Sequence, residues 1–309
     1  MTSLEAPAAP AMPDDEGAES EPARRRRRSE LTMVLGRAFR FRKTQFGVVL
    51  VAIVVLIAVI GPFVASPNPL AIAGPPFADP SHSYLLGTDV LGRSVLSRWL
   101  AGGWVILLCA VLATALGVGL GVVLGVLAAW KGGKRDEAIM RSLDVILSFP
   151  AIILALLLLS VIGPHLWLVV LAVAFAHAPG SARVVRSVAL DVRRREFVQV
   201  SEALGVSDWR IMFGEIVPNI TSQILVEFGL RLTWSIGLIS ALAFLGLGRQ
   251  PPAPDWGLMI NENRVGMSFQ PWGVAAPIIS IALVTVGVNF ITDGISRSAI
   301  GIGRSADRG

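Results

Sequence analysis

Long apolar runs without acidic or basic residues are the feature that most limits how this chain can fold. The longest, residues 145–182, has 38 residues, and across the 309-residue chain 53% of residues are hydrophobic and 16% are charged. An α-helix rises about 1.5 Å per residue, so about 20 residues cross the roughly 30 Å hydrocarbon core of a bilayer. The mean hydropathy of +0.66 excludes an ordinary water-soluble domain and indicates a membrane protein.

Six runs are long enough to cross a bilayer, and the sequence therefore predicts an all-α membrane protein with six transmembrane helices. The predicted spans are residues 46–65, a helix within 99–130, the two parts of 145–182 divided at Gly163-Pro164, 218–248 and 272–292. A cleaved signal peptide is the alternative for the first run, but that run is too long and begins too late.

The positions of Lys and Arg predict the orientation. With the amino terminus inside, the cytoplasmic segments hold 22 of the 27 Lys and Arg residues, whereas the external loops hold four. Positively charged loops stay in the cytoplasm, so both termini are predicted to be cytoplasmic.

The cysteine, histidine and basic residues exclude further classes of protein. A single cysteine, Cys109, excludes an internal disulfide framework or a multi-cysteine metal site, and the three scattered histidines suggest no metal site. The basic residues lie between apolar runs, which is typical of membrane topology and not of nucleic-acid binding.

The chain is predicted to divide into a tail at 1–40, a six-helix domain at 41–300 and a short cytoplasmic tail at 301–309. Residues 1–23 are acidic and Pro-rich, with six acidic residues and no basic ones, and we expect disorder there. For Arg24–Arg28 two interpretations stay open, a basic flank that sets topology or a contact with anionic lipid.

Small residues recur every four positions in the second predicted span. Ala113, Gly117, Gly121, Gly125 and Ala129 form one smooth stripe along a helix, where another helix can approach closely. The stripe predicts tight packing within this chain, with a subunit interface as the alternative.

Glu227 and Arg231 are the only acid and base well inside a predicted span. Their i, i+4 spacing lets them pair on one helix face, and ionisable groups inside a membrane are functional candidates. Two interpretations stay open, a structural pair facing the bundle or a polar wall or gate of a translocation path.

The largest predicted cytoplasmic loop, within 183–215, has the pattern of two short helices. Phe197, Val200 and Leu204 lie on one face of an amphipathic helix, Gly205 is the expected stop, and Ser207 is the expected N-cap of a helix that begins at Asp208. An exposed apolar face suggests docking into a partner's groove, and an interfacial helix on the membrane is the alternative.

Two external segments stand out by their residue types. Residues 87–98 are predicted to form a capped amphipathic helix on the outer surface, and residues 250–257 form a rigid Pro-rich connection.

Together these segments resemble the permease subunits of bacterial ABC importers, specifically the C-type subunit of the dipeptide, oligopeptide and nickel group. The resemblance runs from about residue 40 to 300 and rests on GTDVLGRSVLSR at 87–98, LDVILSFPAIILA at 143–155 and FLGLGRQPPAPDWG at 244–257. It implies the type I ABC importer permease fold in a bacterial cell membrane.

The family's cytoplasmic motif, with EAA followed by Gly and later by Ile and Leu-Pro, is kept in spacing but not in all letters. Gly205 and Pro218 occupy their places, whereas the EAA positions read Gln199, Val200 and Ser201 and the Ile position is Glu215. By resemblance, the loop at 190–217 docks on an ATPase. The residues implied in this coupling are Phe197, Val200, Ser201, Glu202, Ala203, Leu204, Gly205, Ser207, Asp208, Trp209 and Pro218.

The resemblance also implies partners. These are a second homologous permease, two cytoplasmic ATPase subunits and an external substrate-binding protein, which is expected to meet Asp89, Arg93, Pro251, Pro252, Asp255 and Trp256. The chain has no GxxxxGK[ST] phosphate loop. It is therefore expected to be a non-catalytic subunit without a cofactor of its own, while the partners hydrolyse ATP with Mg²⁺.

The implied function is alternating-access import of di- or oligopeptides through a pore of which this chain forms half. Nickel or another small solute is the alternative cargo. A self-contained channel or secondary transporter is the rival class, but the sequence shows no internal repeat of the kind common in such proteins.

Overall fold

The computed structural model describes residues 32–306, with side chains through residue 299, and every regular element in that part of the chain is helical. The predicted acidic tail at 1–23 and Arg24–Arg28 lie outside the described residues. Residues 32–38 form a short helix, α1, with Val34 and Ala38 buried. This helix lies within the predicted tail at 1–40 but beyond residues 1–23, for which disorder is expected.

Twelve α-helices in the described part of the chain give the bundle its order. After α1 they are α2 (Arg42–Val64), α3 (Val95–Lys131), α4 (Gly133–Leu147), α5 (Ala151–Ile162), α6 (Leu166–Arg193), α7 (Glu196–Ala203), α8 (Asp208–Ile211), α9 (Val217–Asn219), α10 (Thr221–Phe244), α11 (Trp256–Asn263) and α12 (Trp272–Ala306). A π-helical turn, Met212–Ile216, joins α8 to α9. We refer to the two ends of the bundle as the α7 end and the α11 end.

Five of these helices, α2, α3, α6, α10 and α12, are long and apolar enough to cross a membrane, and the pair α4 and α5 brings the number to six if it counts as one span. This agrees with the predicted spans except for the third, predicted from residue 145 to the break at Gly163: residues 145–147 end α4, and α5 alone, with 12 residues, is too short to cross a bilayer. The structure bends by 77° between α4 and α5. Pro150 causes the break, because a proline disfavours helical geometry in the residue before it and lacks the N–H that a continuing helix needs.

The stripe of small residues on α3 lies against α6. A side-chain carbon placed on Gly117 would be 2.8 Å from the backbone oxygen of Ala174, and one on Gly121 would be 2.5 Å from Cβ of Ser181. Gly125 makes the same kind of approach to Ala182. Because lipid is as apolar as a leucine side chain, such close van der Waals contact is a main source of stability between helices in a membrane.

A second cluster of buried apolar side chains holds the α7 end together. Trp130 of α3, Val192 of α6 and Val198 of α7 pack with Ile211 and Ile216 beyond the turn. The short helices outside the membrane-length segments are thereby fixed to α3 and α6, and they are not a free loop.

The close approach of α3 to α6 predicts that alanine substitutions at two glycines, two positions apart, have very different effects on the free energy of unfolding. Gly121→Ala should lower the free energy of unfolding by about 1–3 kcal/mol, because the added methyl overlaps Ser181. Gly119→Ala is the matched control, since nothing lies within 4 Å of a side-chain carbon there. Thermal transitions of the purified variants in detergent measure both, and equal shifts would contradict this packing.

Candidate functional site

The segment from α7 to α9, residues 196–219, is the first candidate site. Gly205, at φ +75, turns the chain between α7 and α8 in a conformation that favours glycine. Ser207 occupies the N-cap position of α8 without a side-chain capping hydrogen bond. Two short helices joined by a tight turn therefore project from the α7 end.

Apolar side chains cover the outer face of this segment. Phe197, Val200, Leu204 and Trp209 are all exposed, Leu204 by 77%. Val198, one residue from Phe197, is fully buried. The face that the sequence marks as apolar thus points away from the bundle, and the residue that anchors the helix is one that the pattern does not single out.

The remaining predicted residues of this segment are mostly at its surface. Glu202, Ala203, Gly205, Ser207 and Asp208 are exposed, whereas Ser201 and Pro218 are half-buried. The Lys131 ammonium lies 2.7 Å from Asp208 and lowers the pKa of that carboxyl below its ordinary value. This ion pair ties the start of α8 to the end of α3.

Two of the positions that depart from the family motif, Ser201 and Glu215, meet each other in space. Ser201 Oγ donates a hydrogen bond of 2.9 Å to Glu215 Oε1, across fourteen residues of chain. Ser201 stands where the motif has its second Ala, and Glu215 stands where it has Ile. This hydrogen bond joins α7 to the π-helical turn.

A polar cluster inside the bundle joins α6 to α10. Glu227 Oε1 accepts hydrogen bonds from Arg231 Nε at 2.6 Å and from Ser181 Oγ at 2.9 Å. The carboxylate side chain is 5% exposed, whereas the guanidinium side chain is 25% exposed. Glu227 and Arg231 therefore pair as predicted. The carboxylate is buried, whereas the guanidinium is partly exposed.

Each member of this pair lines a separate cavity along α10. The larger, of about 720 Å³, is lined by Arg231, and the smaller, of about 480 Å³, is lined by Glu227. The larger cavity is mostly apolar, with walls that include Ala151, Ile152, Ala176, Trp234, Gly237 and Leu238. A large apolar cavity with a few polar groups is the usual form of a small-molecule site.

A buried ion network closes the α11 end. Asp89 lies 2.6 Å from Arg93 Nε and 3.3 Å from Arg98 Nε, and Glu262 Oε2 lies 2.9 Å from both Arg93 and Arg98. The segment 87–94 is thereby locked to α11. The helix predicted over residues 87–98 is wrong for residues 87–94, because Gly87 and Gly92 turn the chain at positive φ and α3 begins only at Val95.

Asp255 and Trp256 hold the start of α11. Asp255 Oδ1 accepts hydrogen bonds from the backbone N–H groups of Gly257 and Leu258. Burial raises the pKa of Asp255 to about 6, against the opposing effect of those two hydrogen bonds and of the Arg249 charge. Trp256 is fully buried, and its Nε1 donates to the backbone oxygen of Trp99 at 2.8 Å.

These contacts correct one expectation. Four of the residues expected to face an external protein, Asp89, Arg93, Asp255 and Trp256, are buried within the chain, while Pro251 and Pro252 are exposed. Sequence reasoning missed Arg98 and Glu262, which complete the network. The surface of this end instead carries exposed apolar side chains: Ile72, Leu85, Leu91, Val265, Met267 and Phe269.

Membrane-length helices, an apolar cavity beside a buried ion pair and a projecting pair of short helices are the features of a membrane transport subunit. Residues 121–300 match the family described as the binding-protein-dependent transport system inner membrane component. The chain belongs to this family. The resemblance to ABC importer permeases of the peptide group is confirmed.

Several relatives share most of their length with this chain. The glutathione transport system permease protein GsiD of Pectobacterium atrosepticum is 38% identical over 216 residues, 70% of this chain and 72% of that protein. A putative peptide transport system permease protein of Brucella abortus is 33% identical over 300 residues, 96% of each. The dipeptide transport system permease protein DppC of Alkalihalophilus pseudofirmus is 34% identical over 251 residues, 81% of this chain and 82% of that protein.

The fold is similar to that of a solved transporter subunit. A chain of the MetNI methionine ABC transporter, in an inward-facing crystal structure, superposes with a TM-score of 0.52 at 17% identity, over 66% of this chain and 95% of that chain. The helical ABC permease fold expected from the resemblance is therefore confirmed.

The ion network at the α11 end predicts a large penalty for removing its shared acid. Glu262→Ala leaves Arg93 and Arg98 buried, with Asp89 as their one acid partner among the described residues, and should cost about 3–5 kcal/mol. Glu137→Ala, which breaks an exposed pair with Arg141, should change stability by about 0.5 kcal/mol or less. Denaturant or thermal unfolding in detergent compares them, and similar costs would contradict the role of the network.

The raised pKa of Asp255 predicts that the free energy of unfolding depends on pH. Because its pKa is raised from 3.8 to about 6, the folded chain binds more protons than the unfolded chain between these values, and stability is lost as pH rises through this range. Asp255→Asn keeps the capping oxygen without the ionisation. The thermal transition of the variant should therefore rise relative to wild type from pH 4.5 to pH 7, and a constant difference would contradict the raised pKa.

Proposed function

We propose that this chain is the permease subunit of an ATP-driven, binding-protein-dependent importer of di- or oligopeptides, and that it forms half of the translocation pathway. The observation that carries the proposal is the α7–α9 segment, which presents four large apolar side chains to its surroundings while its buried face is fixed to α3 and α6. Such a surface suits a partner's groove. The peptide substrate is supported by the similarity to the dipeptide and peptide transport system permeases.

In this proposal the segment transmits the state of an ATPase to the membrane helices. Val198 and Ile211 pack on the α3 and α6 ends, Lys131 pairs with Asp208, and Ser201 bonds to Glu215. A displacement of α7 therefore shifts α3 and α6 with it. ATP-driven closure of the partners then favours one arrangement of the bundle over the other, which gives alternating access.

The proposed orientation places the α7 end in the cytoplasm and the α11 end outside, with both termini cytoplasmic. The distribution of Lys and Arg supports it. The external binding protein then contacts Pro251, Pro252 and the exposed apolar side chains of the α11 end. The buried ion network fixes the segments that carry this surface.

The proposed complex contains a second homologous permease, two ATPase subunits or domains and an external substrate-binding protein, in a bacterial cell membrane. ATP and Mg²⁺ are handled by the ATPases, and this chain acts as a non-catalytic subunit. The pathway runs along α10, past the two cavities that Glu227 and Arg231 line.

The docking surface is tested by copurification of ATPases with a carboxyl-terminally tagged chain from its native membrane. Leu204→Glu and Trp209→Glu should each lower ATPase recovery at least about tenfold, because a buried unpaired carboxylate is costly in an apolar interface. Gln199→Glu, a neighbouring exposed position outside the apolar face, should retain recovery. Equal insertion of all variants, measured in the membrane fraction, separates docking from folding.

Two results would overturn the proposal. One is unchanged ATPase recovery with both Leu204→Glu and Trp209→Glu. The other is purification of the wild-type chain without an ATPase while it still moves solute in liposomes, which would make it a self-contained carrier.

A further inference from the structure

Two nitrogen-bearing side chains, Arg231 and His177, line the larger cavity between α5, α6 and α10, and the Thr233 hydroxyl that also lines it is hydrogen-bonded to the backbone oxygen of Gly229 and to Asn289. Arg231 is held by Glu227 through Nε, so its terminal amino groups Nη1 and Nη2 are left for another partner. His177 lines the same cavity, is 6% exposed, and its Nε2 atom is buried without a hydrogen-bond partner in the described part of the chain. Both groups are nitrogens that donate hydrogen bonds when protonated.

Two glycines in the neighbouring backbone leave space for the Arg231 and His177 side chains. A side-chain carbon on Gly180 would lie 2.5 Å from Nη2 of Arg231, and one on Gly117 would lie 3.1 Å from Cβ of His177. The guanidinium therefore occupies space that a larger residue at position 180 would fill. Glu227 and Ser181 fix its orientation from the other side.

The acid of the cluster does not face this cavity. Glu227 lines the smaller cavity, whereas no carboxylate is among the described residues that line the larger one. A cationic group would meet a guanidinium and no opposing charge, whereas a carboxylate would meet a planar pair of donors that can bind it through two parallel hydrogen bonds. The apolar walls suit the side chains of a small organic solute.

We propose that this cavity is a binding subsite for the carboxylate of the transported solute, with the Arg231 amino groups as its main contact and His177 as a second polar neighbour. The proposal rests on the proposed function for the identity of the solute as a peptide. A fixed guanidinium binds with little loss of conformational freedom. The carboxylate end of a peptide is therefore recognised here while the apolar walls accept different side chains.

A cysteine reporter in the cavity wall tests this without requiring transport. Ala176 is half-buried and lines the cavity, so Ala176→Cys in a Cys109→Ala background places one reactive thiol in the described part of the chain. Membrane vesicles carrying the complete transport complex are labelled with a maleimide in the presence of tri-alanine or its carboxyl-terminal amide. The acid should slow labelling about tenfold more than the amide, as expected for a hydrogen-bonded charge.

Variants of the same reporter identify the responsible group. Arg231→Gln should abolish the difference between acid and amide, and Arg183→Gln, which breaks an exposed pair with Asp144, should retain it. Gly180→Ala is the second variant: it keeps the charge but displaces the guanidinium, and it should also reduce the difference. Equal protection by acid and amide, protection by neither, or a difference that persists in Arg231→Gln would overturn the subsite.

ATP-driven uptake of tri-alanine in the same vesicles separates the subsite from the proposed function. Uptake without any difference between acid and amide in labelling refutes the subsite and leaves the importer intact. A labelling difference that depends on Arg231, in vesicles with neither peptide uptake nor bound ATPase, supports the subsite and refutes the importer.

Discussion

Backbone hydrogen bonding inside hydrocarbon is the constraint on which the rest of this structure depends. Each peptide group that crosses the membrane must be satisfied within its own helix, so the apolar runs become long helices and the remaining freedom lies in how they pack. Gly117, Gly121 and Gly125 set that packing by bringing α3 against α6. The close contact in turn fixes His177 and Ser181 of α6 opposite α10, where the cavity and the ion pair lie.

Polar groups in this bundle are used in two distinct ways. At the α11 end, Asp89, Arg93, Arg98 and Glu262 satisfy one another in a buried network that joins segments far apart in sequence. Inside the bundle, Glu227 is satisfied by two donors, but Arg231 keeps amino groups toward an open cavity. The first arrangement holds distant segments of the chain together. The second leaves hydrogen-bond donors facing a cavity.

Much of this fold was predictable from hydropathy and glycine patterns, because both are local. The spans, the small-residue stripe, the turn at Gly205 and the start of α8 all follow from residues within one or two helical turns. The bend at Pro150 was missed because the run keeps the same apolar composition on both sides of it. The burial of Asp89 and Arg93 was missed because their partner Glu262 lies 169 residues from Arg93, and the link between Ser201 and Glu215 because local patterns do not show which polar residues meet.

The network at the α11 end also fixes the first turn of α3. Arg98 lies in the first turn of this 37-residue helix, which is about 55 Å long, while Trp130 at its other end packs with α7. For a rigid rod of this length, moving together with the α6 helix packed on it, a tilt of about 5° about the Arg98 end corresponds to an arc of about 5 Å at the far end. A small change of angle at the Arg98 end thus corresponds to a displacement of about one helical turn at the α7 end. The displacement at the depth of the cavity, between the two ends, is smaller.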